Sequence, residues 1–79
     1  MNYDLAMMSL EGLARDPINV RLDNNEVVIE AAPASFKELA RLCLLLGGAH
    51  TNDDAFELAP GAHVDAHSLG VRLKLRYES

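Results

Sequence analysis

From Ile18 onward the hydrophobic positions recur at every second residue. Ile18, Val20 and Leu22 alternate with Asn19 and Arg21, the pattern of a strand with one buried face. Asp23-Asn24-Asn25 comes next; these residues tolerate left-handed backbone and bond their own main chain, so a hairpin turn is expected. Glu26 to Ala31 resumes the alternation, with Val27, Ile29 and Ala31 facing inward. The last clear run, Val71 to Tyr77, sets Val71, Leu73, Leu75 and Tyr77 on one face and Arg72, Lys74 and Arg76 on the other. Its expected neighbour is the strand carrying Glu26 and Glu30, because opposite charges across a strand pair help fix register.

Between these strands the period changes. Pro33 closes the second strand, and Ser35-Phe36-Lys37-Glu38 has the S-x-x-E form that satisfies free amides at a helix start. Gly47-Gly48 supplies the stop, so a helix is predicted over about 35–46. At helical spacing Phe36, Leu39, Ala40, Cys43 and Leu46 share one face, flanked by Leu42 and Leu44, with Lys37, Glu38 and Arg41 opposite. Leu45 falls within the polar arc. A helix apolar nearly all round is normally covered on more than one side, which makes Leu42 and Leu45 candidates for a dimer or partner contact.

Two stretches are less regular. Leu5 to Ala14 fits neither period, contains Gly12 and is closed by Asp16-Pro17; an irregular or short edge segment is expected over 1–16. From Ala49 to Gly70, Ala55–Leu58 and Ala62–Asp65 are predicted as short strands divided by the Pro60-Gly61 turn. The expected whole is a single α+β domain. Its β-β-α-β-β core spans 17–79, a small antiparallel sheet of about four strands with one main helix on one face.

Composition narrows the function. The chain has 79 residues, 49% of them apolar, which argues against wholesale disorder but allows only a small core. A lone Cys43 rules out an internal disulfide framework. A formal charge of −5 speaks against nucleic-acid binding. The longest apolar run, Leu42 to Leu46, is far short of a membrane span of roughly 20 residues. Met1-Asn2-Tyr3-Asp4 offers no basic, cleavable leader, so a cytoplasmic protein with a reduced thiol is expected.

The acidity is concentrated. Ala49 to Gly70 has no Lys or Arg, but carries Asp53, Asp54, Glu57 and Asp65 together with His50, His63 and His67, all the histidines of the chain. His63-x-Asp65-x-His67 is the strongest metal candidate, with His50 or Asp53 able to complete the set. On a strand, however, His63 and His67 would stand ~13 Å apart, too far for one ion. Cys43, on the predicted apolar face, reads as an inert small hydrophobe, and Asp53-Asp54 as a solvated turn. No phosphate loop, nucleophile elbow or H-E-x-x-H helix is present. A non-enzymatic protein without a cofactor is therefore expected.

The order strand, Asp-Asn turn, Val27-Val28-Ile29-Glu30, Ser35-Phe36-Lys37-Glu38-Leu39-Ala40-Arg41-Leu42, then Pro60-Gly61-Ala62-His63-Val64-Asp65 and a final alternating strand resembles the small α+β immunity proteins of bacterial polymorphic toxin systems. The resemblance runs from Ile18 to Glu78. It implies a helix ending in an acidic, histidine-bearing loop, and a protein that binds and blocks a cognate toxin. The leading expectation is thus an interaction module that offers His50, Asp53, Asp54, Glu57, His63, Asp65 and His67 to a basic protein, such as a toxin domain. The alternatives are a metal-binding or metal-sensing protein using His50, His63, Asp65 and His67, and a homodimer built through Leu45 and its neighbours.

Overall fold

The computed structural model describes residues 2–49 and 55–76. Its elements follow the order α1 (Tyr3–Arg15), β1 (Asn19–Asp23), β2 (Glu26–Glu30), α2 (Pro33–Gly47), β3 (Ala55–Leu58) and β4 (Val71–Lys74). None of the described helices is long and apolar enough to cross a membrane.

The small α+β class is as expected, but the strands form two antiparallel two-stranded sheets, β1-β2 and β3-β4, in place of one sheet of about four. In the first hairpin Asn19 pairs with Glu30 and Asp23 with Glu26. Its two-residue turn holds Asn24 at φ 50° and Asn25 at φ 66°, the left-handed pair that matches the twist of the flanking strands. In the second hairpin Glu57 lies opposite Arg72, and their side chains form an ion pair. The basic face of the last strand therefore meets β3, while Glu30 bonds Arg21 within its own hairpin at 2.9 Å. Exposed charge pairs of this kind are worth ~0–1 kcal/mol, too little to decide which strands pair.

The segment expected to be irregular is a helix of 13 residues. Asn2 caps it, its Oδ1 accepting the Leu5 amide at 3.1 Å, with Asp4 in the first turn and Arg15 in the last complementing the dipole. Its inward face is Ala6, Ser9 and Leu13, with Leu10 packed alongside. Small residues on the buried side and exposed Met7 and Met8 on the other explain why hydrophobic periodicity misses this helix. At Gly12 a methyl group would overlap the Glu38 carboxylate of α2, so glycine lets the two helices approach closely.

Helix α2 begins earlier than expected, with Ala32 as N-cap, Pro33 in the first turn and no side-chain cap. Ser35 does not form the capping box: its hydroxyl is buried and donates to the Asp16 carbonyl at 2.6 Å, tying the start of α2 to the end of α1. This contact belongs to a rotation of α2 by roughly 80° from the expected phase. Ser35, Leu42 and Leu46 are buried, with Leu39 and Leu45 packed against the core. Phe36, Ala40, Cys43 and Leu44 face outward, so Cys43 is exposed and not a core residue. Leu42 is fully buried and Leu45 half-buried.

The core joins Ala6, Leu13, Ile18, Val20, Leu42, Leu46, Phe56, Leu58 and Val64. Val71, Leu73 and Leu75 lie against it while Arg72, Lys74 and Arg76 are exposed, so the alternation of the last strand holds through the described residues.

Two buried serines have opposite consequences. Ser35→Ala removes the donor from the Asp16 carbonyl and is expected to cost about 1–2 kcal/mol. The Ser9 hydroxyl is buried without a partner, so Ser9→Ala is expected to raise stability by about 1 kcal/mol. Urea or thermal unfolding of the two variants checks both signs.

Candidate functional site

Strand β1 is bonded along both edges. One edge carries the ladder to β2; the other carries the segment 63–69. The Ile18 amide donates to the His63 carbonyl at 3.2 Å, and the Asp65 amide donates to the Ile18 carbonyl at 2.8 Å. Further along, the Val20 amide donates to the buried Ser68 Oγ at 3.0 Å, while the Leu69 amide donates to the Val20 carbonyl at 2.9 Å. Fully buried Val64 pins this segment into the core.

The predicted strand at Ala62–Asp65 is instead a tight turn with isolated bridges from Val64 to Ile18 and Pro60. Gly61 sits at φ +84°, a left-handed conformation suited to glycine. The Ala59 carbonyl accepts the amides of Ala62, His63 and Val64. Converging three amides on one oxygen coils the chain and prevents it from extending.

The candidate side chains are distributed accordingly. His63 is half-buried, its Nδ1 accepting the Ala59 amide at 3.3 Å. Asp65 is exposed and accepts a hydrogen bond from Asn19 Nδ2 at 3.2 Å. His67 is exposed on the same loop. Glu57 stands on β3 and is engaged by Arg72 Nε and Nη2. His50, Asp53 and Asp54 lie outside the described residues. Among the described residues, no three His, Cys, Asp or Glu side chains gather so as to hold a metal ion, and His63, Asp65 and His67 do not converge on one.

The arrangement draws in residues that the sequence assigned only to the fold. Asn19 contacts Asp65, and Arg21 Nη1 donates to Asn19 Oδ1 at 2.8 Å and to Glu30 Oε1 at 2.9 Å. A polar chain thus runs from the loop across β1 to β2. On the opposite face the apolar stripe begins in the core at Ile18 and Val20 and continues out of it: Leu22 is 64%, Val27 63% and Ile29 40% exposed. Leu22 pairs with Val27 and Val20 with Ile29, so the three exposed side chains are neighbours. Asp23, Glu26 and Glu30 alternate with them along the two strands. Strict alternation was the available signal, but it cannot reveal that the core ends before the hairpin does.

No protein-family model, curated protein or solved structure matches the chain.

The contact that holds the loop is open to test. Ser68→Ala strands the buried Val20 amide and is expected to cost about 1–3 kcal/mol. Hydrogen exchange should show the amides of Val20 and Leu69 losing protection before those of α1.

Proposed function

We propose that this chain is a non-enzymatic protein–protein interaction module of the immunity type, an inhibitor that acts in the cytoplasm by binding a basic partner such as a toxin domain. The observation that carries this reading is the β1-β2 hairpin, which exposes Leu22, Val27 and Ile29 side by side on one face and carries Asp23, Glu26 and Glu30 on the other. Exposed apolar residues bordered by polar ones are characteristic of surfaces that meet another protein. Their burial supplies affinity. The carboxylates on the reverse face of the hairpin steer a positively charged surface toward it and reject an acidic one.

Asp65, in the acidic, histidine-bearing stretch, accepts a hydrogen bond from Asn19 on the polar face of the hairpin. His67 stands exposed nearby in sequence on the same loop. His50, Asp53, Asp54, Glu57 and His63 belong to the same proposed acidic stretch. The role needs shape and charge, with no reacting group, in keeping with a chain that lacks a recognisable nucleophile motif.

Affinity capture from the native host under several growth conditions is expected to recover a basic protein bound stoichiometrically. Recovery of this chain alone, or of an acidic partner, overturns the reading. In the recovered complex, Val27→Lys is expected to weaken binding at least tenfold, mainly through faster dissociation. Glu26→Lys should slow association and flatten its dependence on salt. Surface plasmon resonance at two ionic strengths separates the two effects.

A further inference from the structure

The outward face of α2 has a regular form that neither the fold nor the hairpin uses. Phe36 is 43% and Leu44 79% exposed, and Ala40, Cys43 and Gly47 are exposed with them. Phe36, Ala40, Cys43 and Gly47 follow one another at intervals of four, three and four, the seam spacing of paired helices. Read from either end, that spacing is the same. We propose that a second copy of this chain covers this face, the two α2 helices lying antiparallel about a two-fold axis that passes between Ala40 and Cys43.

Size complementarity selects the antiparallel arrangement. In that register Phe36 of one copy faces Gly47 of the other, and Ala40 faces Cys43. A side chain built at Gly47 would meet nothing within 4 Å, which leaves an open seat for the Phe36 ring. The small residues at the centre let the helices approach to about 8 Å. A parallel pair would oppose Phe36 to Phe36 and Gly47 to Gly47, crowding one end and leaving a gap at the other.

Charge selects the same arrangement. Lys37 lies near the start of α2, and the helix has no basic residue in its last turn. Glu38 is turned toward Gly12 of α1 and pairs with Arg41 at 2.9 Å. An antiparallel neighbour brings Lys37 to the bare carboxyl end of the facing helix, where the backbone dipole favours positive charge. A parallel neighbour would stack Lys37 on its own copy. Two helices about 22 Å long bury on the order of 1,000 Å² with their flanks, the low end of specific interfaces, so micromolar association is expected.

Sedimentation velocity of the intact chain from micromolar to roughly millimolar concentration should show a reversible monomer–dimer equilibrium. Leu44→Lys should weaken the dimer at least tenfold. Gly47→Leu, which fills the seat of Phe36 while favouring the helix, should also weaken it, whereas in a parallel pair it would tighten association by filling the gap. Circular dichroism of the dilute monomers should remain that of the parent, so a lost dimer is not lost folding. Val27→Lys, on the hairpin, should leave the dimer unchanged, which separates this interface from the proposed partner surface. A strict monomer throughout, a dimer indifferent to Leu44→Lys, a dimer tightened by Gly47→Leu or a dimer abolished by Val27→Lys overturns the proposal.

Discussion

Strand β1 is five residues long and is bonded on one side by β2 and on the other by the backbone of residues 63–69, with Ser68 Oγ taking the Val20 amide. Buried amides and carbonyls that lack partners are costly, on the order of 1–3 kcal/mol each, so a strand whose inner residues Ile18 and Val20 are sealed in the core must satisfy both of its edges. The loop does this without being a strand. Its turn at Ala59–Val64 brings His63, Val64 and Asp65 to the edge in succession, and Val64 enters the core as it does so. The second hairpin hangs from the two ends of that loop. With the loop on one edge of β1, and β2 on the other, β3 and β4 pair with each other in a second small sheet.

The helices obey a separate constraint. Gly12 allows Glu38 close to α1, and the Ser35 hydroxyl reaches the carbonyl of Asp16. These contacts fix how α2 is turned. With Ser35 inward, Leu42 and Leu46 follow into the core and Phe36, Ala40, Cys43 and Leu44 are carried outward. A leucine-rich helix supplies apolar residues to whichever face is buried, so the turn is set by the small polar residue and the glycine.

Both constraints leave apolar surface uncovered in a chain with a thin core. The hairpin extends beyond the residues that pack beneath it, exposing Leu22, Val27 and Ile29; the helix presents a second apolar row on its far side. The two surfaces differ in chemistry. The hairpin carries carboxylates on its reverse face, whereas the helical row has Lys37 near one end and the partial negative charge of the helix terminus at the other. The two proposed contacts, with a second copy and with a partner, therefore use separate surfaces.

Much of what depends on neighbours in the chain was legible in the sequence, although the helix α1 was not, because its buried side is made largely of small residues. The Asp23-Asn24-Asn25 turn, the first hairpin, the middle of α2, the strand at Ala55–Leu58 and the alternation around Arg72 and Lys74 all follow from local backbone preference and period. It also located the acidic, histidine-bearing loop, and the excess of apolar residues on α2. Tertiary structure decided which strand meets which, since charge pairs worth ~0–1 kcal/mol cannot choose between Glu26 or Glu30 and Glu57 as the neighbour of Arg72. It decided the rotation of α2, because a helix apolar nearly all round specifies no single inward direction. It also decided which apolar residues of a correctly predicted hairpin face water, because alternation orders the two sides of a strand but the extent of the core beneath it is set by contacts distant in sequence.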